Sequence, residues 1–339
     1  MGDLFAEFAF EGPFAQIPLK GSIIQQSTTN TREAPKPAPN FLHFDDQVII
    51  DIHAAALNRA DLLQRMGQYP PPPGWPDWMG LEAAGVISHA PTGSRWNIGD
   101  KVCTLLGGGG YAEKVAVPQG MVLPIPQGMS FVEAAAIPEA FTTSFLNLCI
   151  EGQMQQGDTV FIQAGASGLG MAAIQLTKAM GNKVVTTVSS DEKAQFVKSL
   201  GADVIINRKT QDIATILAEH PADVALDCVA GPDLGRCLAT MSRGGRWVVI
   251  ATLGGKTTEI DMNDFFRRGV RLIGSTLRSR TDTMKSDILA KLESQFWPAF
   301  SQGKIKVIIH QTLPITEAAQ AHDILQSNAN MGKVVLTVQ

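Results

Sequence analysis

Cysteine is scarce in this chain. Four occur in 339 residues, Cys103, Cys149, Cys228 and Cys237, with no CxxC pair and no regular spacing. That excludes a disulfide framework, and buried free thiols in a reducing compartment are the simplest reading. Long apolar runs are also missing. None approaches the roughly 20 residues needed to cross a bilayer. The N-terminal stretch MGDLFAEFAFEGPF has neither the basic start nor the long apolar core of a signal peptide. A soluble, cytoplasmic protein is expected. There is no excess of positive charge: 28 Lys and Arg against 32 Asp and Glu leave a formal net charge of −4. Neither nucleic acid nor an anionic membrane is drawn to such a surface in general. The six histidines are scattered. No Ser-His-Asp order, paired-carboxylate spacing or basic–aromatic interleaving points to hydrolysis or nucleic-acid binding.

What the chain does have is length, glycine and a regular alternation. With 339 residues and 32 glycines it suits two domains rather than one small core. From about Thr159 short apolar runs alternate with helical segments. TVFIQ, KVVTTV, DVIIN, ADVALDCV, RWVVIAT and RLIGSTL read as strands. Helices are expected over 168–180 and 191–200, stopping at Gly181 and Gly201, where a left-handed cap suits glycine. Further helical stretches fall near 211–219 and 232–242. Near-continuous apolar strands between helices predict a parallel sheet covered on both faces, an α/β doubly wound domain over about 135–281. The first 134 residues differ: VIIDIHAAAL, AAGVISHA, KVCTLL and YAEKVAVP read as strands of an irregular β domain. Beyond 282 a long helix leads to VIIHQTL, another helix and a last strand, KVVLTV. Periodicity does not settle which domain this tail joins.

The stretch FIQAGASGLGMA at 161–172 carries the first chemical signal. Its glycines stand as Gly165-x-x-Gly168-x-Gly170, between a buried strand and a helix, at the first crossover of the repeat. There a helix N-terminus offers free N–H groups and about half a positive charge to a pyrophosphate. A tight turn that needs small residues only for packing is the alternative. The second strand then lacks the Asp or Glu that an NAD site uses about 20 residues on, because Thr187 and Val188 stand there. Ser189, Ser190 and Lys193 follow and suit a 2′-phosphate, so NADP(H) is expected over NAD(H). Asp191 and Glu192 weigh against this. Ser189 and Glu192 also form an S-x-x-E capping box, and Lys193 could equally be a solvated helix residue.

The matching stretches ALNRADLLQRMGQYPPPPG, GLEAAGVI, GGGGYAEKVAVP, AAAIPEAF, AGASGLGMAAIQL, LRSR and NANMGKVVL run in order from about Ala54 to Leu336. Through them the chain resembles the medium-chain dehydrogenase/reductases, and among these the zinc-free quinone oxidoreductases of the zeta-crystallin type. The resemblance implies a Rossmann domain over 135–281 and a GroES-like domain built from 1–134 with 282–339. It also implies a homodimer. Zinc enzymes of the superfamily carry a cysteine where this chain has Asn58, and a histidine where it has Leu81. Their four-cysteine lobe is absent, because CTLLGGGG simply runs from Cys103 to Gly110. Catalytic zinc needs about three protein ligands, so no metal is expected. The glycine run itself reads as a mobile turn.

Hydride chemistry without a metal suits an electrophilic acceptor such as a quinone. The resemblance puts Tyr69 at the substrate pocket, and its own sequence supports a stiff mount: Pro70 follows it and PPPPG stands behind. A phenol so held can stack on a flat acceptor and donate to a developing oxyanion. Packing within an amphipathic loop is the other reading. By the same resemblance Asn58 and Ser167 join Tyr69 at the reacting centre, although an Asn there also suits local backbone bonding and a Ser suits the turn. Thr143 is implied near the nicotinamide, with Ala166, Leu169 and Leu253 along the cofactor. Arg278 and Arg280 fall near its phosphates, and Gly332 and Lys333 lie on a cofactor-side turn. Asn207 replaces an aromatic residue common at the adenine end, with Arg208 and Lys209 behind it. The activity implied is NADPH-dependent quinone reduction. Reduction of an activated C=C bond, or a low-turnover NADPH sensor, are the competing readings.

Overall fold

The computed structural model describes residues 46–338. Expectations for the N-terminal stretch and the rest of residues 1–45 lie outside them. Strand β1 (Gln47–Ala56) turns Val48, Ile50, Ile52 and Ala54 inward at every second position, the period of a half-buried strand. Helix α1 (Arg59–Arg65) follows. Strands β2 (Glu82–His89), β3 (Lys101–Leu105), β4 (Lys114–Pro118) and β5 (Val122–Pro124) come next, then helices α2 (Phe131–Ala134) and α3 (Pro138–Phe145). Residues Leu146–Glu151 continue α3 as a π-helical turn.

The alternating half then begins: β6 (Thr159–Ile162), α4 (Gly168–Ala179), β7 (Lys183–Val188), α5 (Asp191–Ser199), β8 (Val204–Asn207), α6 (Ile213–Glu219), β9 (Val224–Asp227), α7 (Leu234–Leu238), β10 (Arg246–Val249), α8 (Met262–Arg268) and β11 (Arg271–Gly274). All its strands pair in parallel, in the order β11-β10-β9-β6-β7-β8. The chain winds outward from β6 in both directions, so the carboxyl ends of β6 and β9 flank the crossover point where such sheets bind ligands. Gly181 and Gly201, at φ +80° and +100°, follow α4 and α5 in the left-handed conformation.

The tail comprises α9 (Asp282–Ser301), β12 (Ile309–Pro314), α10 (Ala318–Gln326) and β13 (Lys333–Thr337). It settles the question periodicity left open: β13 pairs antiparallel with β1, and the first sheet runs β12-β13-β1-β2-β3-β5 with β4 also on β1. The tail also ties the two halves together. Gln175 of α4 exchanges two 2.8 Å bonds with the backbone of Lys306. Gly332 donates to Ala166 at 3.0 Å, inside the glycine turn. Phe141 and Phe145 of α3 meet Phe300 and Phe296 of α9 edge-on, at 4.9 and 5.9 Å. The four cysteines are free, two buried and two half-buried.

Candidate active site

The glycine turn is fixed by its neighbours before any ligand is considered. Thr187 of β7 receives the amide of Ala164 on its hydroxyl and that of Gly165 on its carbonyl, both at 2.9 Å. Ser167 caps α4, its Oγ accepting from Gly170 N at 3.0 Å. A Cβ at Gly165 would lie 2.2 Å from Thr186 Oγ1, and one at Gly170 2.5 Å from Ala164 O. At Gly168 it would lie 2.4 Å from Cδ of Lys333. Packing alone therefore demands all three. Yet the amides of Ala166, Gly168 and Leu169 donate to nothing among the described residues. Three free N–H groups at the positive end of a 12-residue helix fit a pyrophosphate.

At the end of β7, Thr187 is buried and donates to Gln163 at 2.9 Å, so no carboxylate stands on that strand end. The α5 cap is Ser190, whose Oγ accepts from Lys193 N, rather than the Ser189–Glu192 box expected from the pattern. The extended backbone at Ser190 moves the helix start one residue on. Lys193 donates to Asn328 O and Arg59 to Asn328 Oδ1, both at 2.6 Å, so Asn328 bridges α5 and α1. Burial, Arg208, Lys209 and Arg59 together hold the Lys193 pKa down against the nearby Glu192. Asn207 donates to Asp191 at 3.3 Å and accepts from Lys209 N, turning the β8 end towards the α5 start. Leu253, beyond β10, is 54% exposed.

Across the cleft the first domain supplies a buried ionic cluster. Lys333, 3% exposed, donates to Glu82 Oε1 at 2.6 Å, Leu57 O at 2.7 Å and Asn58 Oδ1 at 2.8 Å. Asn58 Nδ2 reaches Glu82 Oε1 at 2.9 Å, and Glu82 Oε2 takes the amide of Glu139 at 2.8 Å. This donor set does not fit zinc. Both oxygens of Glu82 are taken, Asn58 and Leu81 are poor ligands, and an ammonium already holds the place a dication would need. Among the described residues no group of three His, Cys, Asp or Glu side chains is disposed to hold a metal ion. Lys333 thus lies inside the cluster rather than on a cofactor-side turn, though its stem packs on Gly168.

Two further carboxyls flank this pair. Asp61 accepts from the amides of Asn58 and Gly80 and from Tyr111 OH, which also meets His322 at 3.3 Å. Burial lifts the Asp61 pKa to about 6 and lowers that of His322 to about 4. Burial, and then the charge on Glu82, lift Glu139 to about 7. Thr143 donates to Glu139 Oε1 at 3.1 Å, one helical turn on.

The loop that carries Tyr69 rests on glycine, and Tyr69 itself is held by arginine. Gly107–Gly110 is buried and forms a bed for the loop after α1, a correction to the mobile turn expected of it. A Cβ at Gly107 would stand 2.5 Å from the Trp75 ring, and one at Gly108 2.7 Å from Pro76 O. Trp78 Nε1 donates to Gly109 O at 3.1 Å. Arg278 reaches into this loop. Its guanidinium lies 4.8 Å over the Tyr69 ring and donates to Tyr69 O, Gly107 O and Gln64 Oε1. Its guanidinium is thus engaged with the loop that carries Tyr69, where the resemblance implied a phosphate contact. Arg280 is likewise engaged elsewhere, paired with Glu151. Burial and then Glu139 push the Tyr69 pKa up, with Arg278 opposing them.

Asp61, Glu82, Glu139, Tyr111 and His322 were not singled out from the sequence. The available signal was an acidic residue within an apolar run, as in GLEAAGVI and AAAIPEAF. Only the pairing of β1, β2 and β13 with the start of α3 brings them together.

Comparisons with known proteins bear on the family and the fold. The model of the alcohol dehydrogenase GroES-like domain matches residues 44–127, and that described as zinc-binding dehydrogenase matches residues 168–294. The quinone oxidoreductase of Rattus norvegicus is 30% identical, over 88% of this chain and 90% of its own length. The Escherichia coli quinone oxidoreductase, solved with NADPH, superposes with a TM-score of 0.76 at 26% identity, covering 87% of this chain and 92% of that one. The CurK enoyl reductase superposes at 0.74 and 26% identity, over 91% and 95%. The chain belongs to the medium-chain dehydrogenase/reductase family, in the branch that holds the quinone oxidoreductases. It is therefore an oxidoreductase of the Rossmann plus GroES-like type.

Proposed function

We propose that this protein is an NADPH-dependent quinone oxidoreductase that works without zinc. One observation carries the reading. The amides of Ala166, Gly168 and Leu169 are free, and the Lys333 stem packed on Gly168 ends in a cluster where Lys333 and Asn58, not metal ligands, hold Glu82. In it, residues 135–281 hold the cofactor and residues 46–134 with 282–338 hold the acceptor. When bound, NADPH supplies a hydride. Ala166, Gly168, Leu169 and Gly170 would cradle its pyrophosphate, with Gly165 and Ser167 setting the turn. Lys193, Ser189 and Ser190, with Arg59 and Arg208 near, would meet a 2′-phosphate, and Asn207 and Leu253 would flank the adenosine and nicotinamide ends. Thr143 and Asn58 would face the nicotinamide. Tyr69, held under Arg278, would stack on a flat acceptor and donate to its oxygen.

A second copy of the chain is supported by one feature. β11 has a single strand neighbour among the described residues, and Leu272, Phe266 and Met262 beside it are 41–66% exposed. The four free cysteines suit the cytoplasm. The enoyl reductase neighbour favours one other acceptor class, an activated C=C bond.

The test follows NADPH absorbance against 1,2-naphthoquinone, 1,4-benzoquinone, an enone and a 2-alkenal, with NADH in parallel. Quinone turnover that falls in Tyr69→Phe while NADPH still binds is the expected result. Turnover with the enone or alkenal alone moves the assignment to double-bond reduction. Tight NADPH binding without turnover of any acceptor refutes both.

A further inference from the structure

The cluster behind Asn58 contains more carboxyls than cations. Asp61, Glu82 and Glu139 come together from α1, β2 and α3, and among the described residues Lys333 from β13 is the only ammonium hydrogen-bonded there. The three carboxyls are not equally satisfied. Glu82 accepts from Lys333, Asn58 and an amide; Asp61 accepts from two amides and a phenol. Glu139 receives one hydroxyl, that of Thr143, on Oε1. Nothing among the described residues donates to its Oε2, and the residue as a whole is half-buried. The least satisfied carboxyl of such a cluster is the one that keeps a proton, because Lys333 is already bonded to Glu82 and no cation among the described residues hydrogen-bonds Glu139.

Placement gives that proton a use. Glu139 sits in the first turn of α3, one turn before Thr143, and its amide bonds the same Glu82 carboxylate that Asn58 holds. The groups facing it are Glu82 from β2, Lys333 from β13, Asp61 from α1, Thr143 from its own helix, and Tyr69 and Arg278 from the acceptor loop and the 275–281 segment. Reduction of a quinone takes one hydride and then one proton on the oxygen that becomes anionic. We propose that Glu139 is the proton donor of this site, a role that rests on the quinone reading above. Its Oε2–H bond breaks as the hydroquinone O–H forms, while the hydride brings the two electrons. The resulting carboxylate recovers a proton from solvent, which the half-buried residue can reach. No further oxidant or reductant is involved.

Two measurements on the full-length protein test this. The first is infrared difference spectroscopy of the NADPH-bound protein, wild type against Glu139→Gln, across pH 5–9. A protonated-carboxyl C=O band that is lost in the variant and disappears as pH rises past neutrality is expected. The second is kcat against pH with 1,4-benzoquinone at saturating NADPH. Wild type should fall on the alkaline side, and Glu139→Gln should be flat and slower by about 100-fold, within the usual range for a lost general acid. NADPH affinity should not change, since the backbone amide of residue 139 still donates to Glu82. Thr143→Val removes the one donor to the carboxylate and should move the alkaline limb upward in pH. A missing infrared band, or a variant that keeps both the wild-type kcat and its alkaline limb, overturns the assignment. Wild-type protein that turns over no acceptor sinks the quinone reading and the donor role with it. The band then still reports whether Glu139 holds the proton, so turnover without the band and the band without turnover separate the two failures.

Discussion

Replacing Lys333 by Met should destabilise the protein by about 3–5 kcal/mol, the usual cost of breaking a buried ion pair from one side. The magnitude follows from the surroundings of the ammonium. Lys333 and Glu82 are 3% and 0% exposed, and three bonds of 2.6–2.8 Å leave from Nζ. Met preserves the stem but leaves Glu82 charged, with Asn58 and one amide as its remaining donors, and strips a donor from Leu57 O. Glu82→Gln alone should also cost several kcal/mol, because the ammonium keeps Leu57 O and Asn58 Oδ1 but loses its countercharge. The double variant buries no charge there, so the two losses should be strongly non-additive, with a coupling of about 2 kcal/mol or more. Urea unfolding followed by tryptophan fluorescence measures all three. NADPH affinity of Lys333→Met should stay near that of wild type, since the same methylenes still cover Gly168. A loss below about 1 kcal/mol, or additive losses, would refute a charge pair as the organiser of this wall.

Two other outcomes can be stated from the same geometry. Gly107→Ala would drive a methyl into the Trp75 ring, which stands 2.5 Å from the ideal Cβ position. Overpacking of this kind costs about 1–3 kcal/mol, and the displaced loop should raise the quinone KM while NADPH affinity holds. A variant with unchanged KM and stability would show that the bed does not position Tyr69. Stability should also fall as pH rises towards neutral. Asp61 and Glu139 ionise near 3.8 and 4.5 in the unfolded chain but near about 6 and about 7 when folded. Between those values the folded state binds more protons. The stabilisation from Glu139 is therefore whole below its unfolded pKa and is lost as pH rises through about 7, by up to ~1.4 kcal/mol per pH unit. Unfolding at pH 5 and pH 7 should show a loss in wild type that Glu139→Gln reduces; equal slopes would contradict it.

Much of the cofactor half was legible in the chain because its signals are local. An apolar strand, a glycine turn and a helix with its glycine stop are neighbours in sequence, and β6 to α4 folds as that order dictates. The missing acid at Thr187 is local in the same sense. One-residue errors such as the Ser189 cap arise where two hydroxyls compete for one helix start. The half built on the first sheet was legible only as a set of side chains. Tyr69 and Asn58 could be named, but Gly107, Arg278 and Lys333 are separated from them by 38 to 275 positions. Their roles appear only where strands close: Gly107 under Trp75, Arg278 over Tyr69, Lys333 between Asn58 and Glu82.

The sequence by itself determined the alternating strands and helices of the second half, the glycine turn and the absence of an acid at the end of β7, because each depends on residues within a few positions of one another. Tertiary structure alone decided the charge state of the wall. A carboxyl's pKa depends on how far water is excluded and which charges face it. For Asp61 and Glu139 those are set by α1, β2, α3 and β13, four segments that meet only in the folded molecule.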